Sequence, residues 1–168
     1  MAYLWCVADQ NAVYGASGGI DASAKAGENI NVTADSMRYD PDAGKITFFK
    51  KVVVIHPNFT MFADKMDLLL SADKSADSES GSTFDSGKVE TVISYTNVKI
   101  LLSEGRVGTC DKAIYTVKTE TVRMEGSAKK TATLTDSTNK LSGDVVLFYL
   151  QENKSEAFGH VQVEIISK

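Results

Sequence analysis

The chain has 168 residues, of which 43% are hydrophobic and 24% charged, and its formal net charge is −4. This length is that of one folded domain, and a content of only two prolines argues against a proline-rich linker or stalk. The modest negative charge gives no electrostatic reason to bind nucleic acid, so we expect no nucleic-acid partner.

We expect residues 1–29 to form a flexible leader. The longest apolar run in its first twenty residues, residues 4–8, is too short to span a bilayer, whereas small residues at 15 and 16 suit a signal peptidase. Residues 1–15 are therefore either the remnant of a secretory signal peptide or a disordered leader without targeting meaning. We expect Cys6 and Cys110 to be unpaired, with Cys110 buried, although a single long-range bridge is the alternative.

From Ile30 onward, apolar and polar residues alternate with a period of two, which is typical of half-buried β-strands. Residues 71–88 are rich in Ser, Asp and Gly and predict a solvated insertion. No segment has the pattern of a helix. Many short strands with turns every eight to twelve residues indicate one all-β domain over residues 30–168, as a sandwich, a jelly roll or a stacked β structure.

Two short phrases alternate along this domain. The first is a small residue, then Asp, then an apolar residue two or three positions later, and its aspartates are Asp35, Asp64, Asp111 and Asp144. The second is a turn-prone pair followed by small or β-branched residues, and its copies begin at Lys50, Thr96, Gly126 and Gly159. Because the spacings of the two series change together, they indicate a repeated β unit. We expect the aspartates to be structural, accepting hydrogen bonds from turn N–H groups, rather than catalytic.

The sequence offers no catalytic constellation. His56 and His160 each stand alone in a turn, where we expect exposed side chains rather than a ligand or a general base. No serine lies in a nucleophile elbow, no glycine-rich loop leads into a helix, and no Cys or His cluster has metal-binding spacing. We therefore predict no enzyme activity, no cofactor and no metal.

The apolar face of the strands is the remaining functional surface. If the sheet closes fully, these side chains form only a core. If it stays open, they line a groove for acyl chains, which bind through apolar area at about 25 cal/mol per Å². Residue parity does not separate the two cases. The predicted groove residues are Phe48, Val52, Val54, Met61, Met66, Leu68, Ile100, Met124, Val145, Leu147 and Val163.

The alternation of the two phrases resembles that of the OstA-like family, the periplasmic lipopolysaccharide transport protein A and its relatives. It is carried by ADSMRY, ADKMDL, CDKAIY and GDVVLF, with KKVVV, TNVKI, GSAKK and GHVQV between them, over roughly residues 30–166. The resemblance implies an antiparallel β-jelly roll, folded over like a taco, in the periplasm. It also implies a lipopolysaccharide or related amphipathic lipid as ligand, and end-to-end stacking with other OstA-like envelope proteins or with a second copy.

Strand stacking has a physical basis of its own, because terminal strands of an open β-stack expose unpaired N–H and C=O groups. The final strand, residues 161–165, contains no proline that would prevent such pairing. Two other classes stay open. One is a closed β-sandwich that binds glycans or proteins of the cell envelope without lipid; the other is a hydrolase, for which the catalytic residues are missing.

Overall fold

The computed structural model describes residues 20–24, 28–71 and 89–165, and most of these residues are in β-strands. The strands are β1 Ile20–Ala24, β2 Glu28–Thr33, β3 Ser36–Asp40, β4 Lys45–His56, β5 Phe59–Leu70, β6 Val89–Leu102, β7 Val107–Thr116, β8 Thr121–Glu125, β9 Ala132–Thr135, β10 Asn139–Gly143, β11 Val145–Tyr149, β12 Lys154–Phe158 and β13 Gln162–Ile165. Short 3-10 helices lie at Ser103–Gly105 and Val117–Thr119. The all-β prediction is confirmed.

Strand structure begins at Ile20, before the predicted start of the domain at residue 30. The possible signal remnant, residues 1–15, lies outside the described residues. So does all of the predicted insertion except Ser71.

All thirteen strands form one antiparallel sheet, which folds over on itself into two layers. The upper layer consists of β3, residues 45–49 of β4, 65–70 of β5, 89–95 of β6, 112–116 of β7, and β8, β11 and β12. The lower layer consists of β1, β2, residues 52–56 of β4, 59–63 of β5, 98–102 of β6, 107–110 of β7, and β9, β10 and β13. Four long strands thus pass through both layers, and the fold line between the layers is called the crease below.

The second sequence phrase forms the crease on alternate strands. In β4 and β6 its residues take the left-handed conformation, with φ of 62° at Lys50, 49° at Lys51, 63° at Thr96 and 52° at Asn97. The strand register shifts beside each pair, between Phe49 and Val52 and between Tyr95 and Val98. Extra residues of this kind bend a strand and increase its twist. Each pair therefore turns its strand from one layer into the other.

The first phrase crosses the crease on the intervening strands, and it changes the side-chain phase by one residue. In β5 the inward residues run through Ala63 and then Met66, on either side of Asp64. In β7 they run through Cys110 and then Ala113. The left-handed pairs, by contrast, keep the parity of their strands, as from Phe48 to Val52. The second phrase thus lies at the crease on β4 and β6, and the first phrase lies at the crease on β5 and β7.

The inward faces of both layers form a single hydrophobic core that runs along the sandwich. Its largest fully buried side chains include Tyr115, Phe148, Ile30, Met61 and Met66. Among the described strands, β1 and β3 are the edge strands at one end of the sandwich, and β12 and β13 are those at the other end. The part of the chain that the structure covers contains no helix long and apolar enough to cross a membrane.

Candidate functional site: the cleft between the layers

Eight of the predicted groove residues lie on the inward faces, and all eight are closed off from solvent. Phe48, Met66, Leu68 and Met124 project from the upper layer, and Val52, Val54, Met61 and Ile100 from the lower layer. Each is at most 3% exposed. In the middle of the sandwich the two faces are therefore in contact, and these side chains form a core rather than an open groove.

The predicted orientation of Val145 and Leu147 is wrong. Both are only partly buried, and the inward residues of β11 are Val146 and Phe148, which are 0% and 1% exposed. Leu147 lies between its cross-strand neighbours Arg123 and Glu156, on the outward face of the upper layer. The reason is the phase change at Asp144. The sequence alternation treats residues 141–150 as one strand, whereas β10 ends at Gly143 and β11 starts afterwards in the other layer.

The side of the sandwich opposite the crease is closed near its middle by three aromatic rings. His56 and Phe59 of the lower layer stack with ring centroids 4.6 Å apart, and Tyr115 of the upper layer meets both rings edge-on at 5.3 Å and 4.9 Å. The Tyr115 hydroxyl lies 3.4 Å from Nε2 of His56. The backbone N–H of Asn58 donates to Nδ1. His56 is 4% exposed, so the prediction of an exposed turn histidine is wrong for this residue.

The cleft opens at the end of the sandwich formed by β12 and β13, which we call the mouth. A cavity of about 280 Å³ lies there. Its apolar wall is built by Leu134, Leu141 and Val163, one from each of three adjacent lower-layer strands. Leu141 is only partly buried and Val163 is 57% exposed, in contrast to the closed core. Val163, one of the predicted groove residues, thus lines this open cavity.

A polar clasp joins the two layers beside the mouth. Arg106, which follows the 3-10 helix of the lower layer, places its guanidinium carbon 5.5 Å from the centre of the Phe148 ring in the upper layer. It donates hydrogen bonds to Oδ1 of Asn153 and, at 2.8 Å, to Oε2 of Glu104. Nδ2 of Asn153 donates to the same Glu104 oxygen at 3.1 Å. All three pairs among Glu104, Arg106 and Asn153 are thus bonded, which ties the layers together at this point.

One carboxylate at the mouth is held ionised by its own turn. Asp136 lines the cavity and accepts 2.7 Å hydrogen bonds from the backbone N–H groups of Thr138 and Asn139. Nδ2 of Asn139 donates to its other oxygen at 3.2 Å. These bonds, first of all the one from Thr138, lower the pKa of Asp136 to about 2. The mouth therefore carries a fixed negative charge on a rigid turn.

The repeated aspartates lie at the crease, and three of them contact side chains of the second phrase. Oδ2 of Asp64 accepts a 2.8 Å hydrogen bond from Nδ2 of Asn97. Oδ2 of Asp144 lies 2.8 Å from Nδ1 of His160, and Oδ2 of Asp35 lies 3.9 Å from Nζ of Lys51. These contacts pair each phrase with its neighbour across adjacent strands. The partners are side chains rather than the turn N–H groups that the sequence predicted, and the structural role of Asp111 stays a prediction.

Cys110 is a free, buried thiol at the crease, as expected. Desolvation raises its pKa to about 12, so it stays neutral and acts as a small apolar side chain. Among the described residues, no three His, Cys, Asp or Glu side chains are grouped so that they could hold a metal ion.

Comparison with known proteins assigns the chain to a family. A family model described as the LptA/(LptD N-terminal domain) LPS transport protein matches residues 31–154. The chain belongs to this family. No curated protein sequence matches the chain significantly. The predicted resemblance to the OstA-like proteins is confirmed.

A solved structure shows the same fold. It is LptH from Pseudomonas aeruginosa, described as the LptA homologous periplasmic component of the conserved lipopolysaccharide transport device. The two chains share 15% sequence identity and superpose with a TM-score of 0.66, over 82% of this chain and 95% of LptH. The likeness confirms the folded-over β-jelly roll for this LptA-family domain.

The mouth residues Leu134, Leu141 and Arg106, and the ring of Phe148 beneath Arg106, were not predicted from the sequence. A signal for Leu141 and Phe148 was present. Asp144 belongs to the same phrase as Asp64, where the alternation visibly changes phase, so the same change at Asp144 would have placed Leu141 and Phe148 inward. No local pattern points to Arg106, because its contacts with Phe148 and Asn153 come from segments more than forty residues away.

Proposed function

We propose that this LptA-family domain is a periplasmic carrier of lipopolysaccharide, holding the acyl chains between its two layers. The observation that carries the proposal is the open apolar cavity at the mouth. There the apolar inward face of the lower layer leaves the closed core and continues into an open cavity through Leu134, Leu141 and Val163. A related amphipathic lipid would satisfy the same surface.

The geometry divides such a lipid into two parts. Acyl chains gain about 25 cal/mol for each Å² of apolar surface that leaves water, so they favour the inward faces. Phosphates and sugars stay at the rim, where polar side chains such as Asn139, Asn153 and Ser155 line the mouth. Deeper entry requires the layers to part, because the middle of the core is closed. The clasp at Arg106 is the contact that must yield first beside the mouth.

The mouth is also the end at which the sheet can grow. Among the described strands, β12 pairs only with β11 and β13 only with β10, so each has one free edge. Phe158, Val161, Val163 and Ile165 are 50–73% exposed on these strands and the link between them. We propose that the β1 and β3 edges of a second copy, or of another LptA-family protein, add to these strands and prolong the cleft.

Photocrosslinking tests the lipid proposal with a matched pair of positions. A benzophenone side chain is placed at Val163, which lines the cavity, or at its neighbour Glu164, which has the opposite orientation on the same exposed strand. Leu141 and Lys140 form a second pair on β10. With purified lipopolysaccharide, we expect adducts at Val163 and Leu141 and few at Glu164 and Lys140.

Two results would overturn this proposal. Equal labelling of both members of each pair would mean that the lipid binds without using the inward face. No adduct at any of the four positions in folded protein would favour the closed β-sandwich that binds glycans or proteins. Adducts of protein with protein are recognised by their mass and report strand addition instead.

A further inference from the structure

Two methionines in the closed core reach from one layer into a small residue of the other. Met61, in the lower layer, places its sulfur 3.0 Å from the hydroxyl of Ser94 in the upper layer. Met124, in the upper layer, lies over Gly108 in the lower layer, where a Cβ atom would meet its sulfur at 2.6 Å. All four residues belong to the closed interior, and Met61, Met124 and Ser94 are fully buried.

In both contacts a long methionine side chain packs against a small residue of the opposite layer. Ser94 places a hydroxyl in an apolar interior, where the thioether of Met61 is only a weak acceptor. Gly108 leaves a hollow that the long side chain of Met124 fills. When the layers part and either methionine changes rotamer, the space beside its small partner becomes free. The two positions lie on successive strand pairs, β5 with β6 and β7 with β8, along the length of the sandwich.

Methionine is suited to such movement. It is unbranched, has three rotatable bonds beyond the backbone, and makes adaptable contacts through a polarisable sulfur. Leucine has a similar volume but is branched and has fewer rotatable bonds. It therefore fills the same space as methionine but moves its side chain out of that space less easily.

We propose that Met61 and Met124 are movable plugs that make way for acyl chains in the middle of the cleft. This inference rests on the proposed function, because it names the side chains through which the closed core admits the lipid. The plugs withdraw from Ser94 and Gly108, and the freed space joins the cavity at the mouth. They thereby set the depth to which a chain can enter, and so the chain length that the domain accepts.

The first test exchanges both plugs for leucine. The Met61→Leu/Met124→Leu protein keeps the core volume, and its unfolding by urea is measured first to establish that it is folded. Apparent affinity falls in proportion to the fraction of molecules that are competent to bind, so we expect binding of dodecanoate to weaken by roughly tenfold. The control is Leu101→Met, an exchange between the same two residue types at an outward leucine of β6 that is 37% exposed. It should bind as the unchanged protein does.

The second test needs no variant in its main arm. Methyl groups of methionine are labelled with ¹³C and observed by NMR while dodecanoate is added, with assignments from single Met→Leu proteins. The signals of Met61 and Met124 should shift as dodecanoate is added.

The outcomes separate the two proposals. If the unchanged protein binds neither dodecanoate nor lipopolysaccharide, the proposed function fails. If it binds them while the Met61 and Met124 signals stay fixed and the double leucine protein binds equally well, the lipid proposal stands and the plugs are overturned. Shifted signals together with weakened binding in the double variant support both.

Discussion

The middle of the sandwich and its mouth are built from the same repeated unit, yet they differ in how the two layers meet. In the middle, Leu68 and Ile100 are fully buried, and the rings of His56 and Tyr115 close the side opposite the crease. At the mouth, Leu141 is only partly buried and a cavity of about 280 Å³ remains. The strand repeat therefore fixes the layers, whereas the side chains between them decide where a cleft is open.

The difference follows from the number of strands that cover the inward side chains in each region. An inward side chain in the middle is covered by strands on both sides and by the opposite layer. At the mouth the sheet ends at β12 and β13, so Val163 lacks a further strand beside it within the described chain. A new strand added at this end would extend both layers. The mouth would then become part of a longer interior.

The largest expected effect comes from truncating one leucine in each region. Leu68→Ala in the closed core should lower the free energy of unfolding by about 2–5 kcal/mol, because it removes buried methyl groups and leaves a cavity. Leu141→Ala at the open mouth should cost about 1 kcal/mol, since its side chain already contacts solvent. Urea unfolding of both proteins measures the difference. Similar losses would show that the mouth is packed as tightly as the middle.

The clasp offers a way to shift the boundary between the two regions. Arg106→Ala removes the ring contact with Phe148 and the bonds to Asn153 and Glu104, which should cost about 1 kcal/mol of stability. Entry of a fluorescent dodecanoate analogue, followed by stopped-flow, should become faster because the layers part more easily beside Phe148.

Lys154→Ala is the matched control for the clasp. Lys154 also lies over an aromatic ring, Tyr149 at 5.3 Å, and pairs with Glu156, but on the outward face. Its loss should leave the entry rate unchanged. If both variants accelerate entry equally, the clasp does not control the cleft.

Association at the mouth can be weakened without touching the cleft. Phe158 is 52% exposed on the edge strand β12, and its cross-strand neighbour is the outward Val145. Phe158→Lys places a charge beside the free edge, which opposes strand addition. Sedimentation at rising concentration should show oligomers for the unchanged protein and mostly monomer for the variant. A strict monomer in both proteins would contradict end-to-end pairing.

The smallest expected effect is a dependence on pH at the mouth turn. The pKa of Asp136 lies at about 2, below its ordinary value of 3.8, so its hydrogen bonds stabilise the folded state above pH 3.8. This contribution is lost as the pH falls toward 2. Asp136→Asn should therefore lower stability near neutral pH and approach the unchanged protein near pH 2. Unfolding curves at several pH values measure the difference, and a constant gap would show that the charge of Asp136 is irrelevant.

The sequence by itself determined the β class and the repeat. Turn chemistry and two-residue alternation are local properties, so both are visible in the order of residues. The structure alone showed that the two phrases meet at one crease, where Asn97 donates to Asp64. The family resemblance rests on the same phrases. Parity also indicated that eight of the predicted groove residues point inward, and they are buried, because most strands alternate without interruption on each side of the crease. Their contact with lipid stays a prediction.

Only the tertiary structure decided which faces meet and how closely. At Asp144 the chain passes from β10 in the lower layer to β11 in the upper layer, and the side-chain phase changes there, so Phe148 rather than Leu147 points inward. The burial of His56 and the clasp at Arg106 arise from contacts between distant segments. The openness of the cleft depends on the volume of side chains from two layers together. The order of residues along one strand does not determine how these volumes fit together.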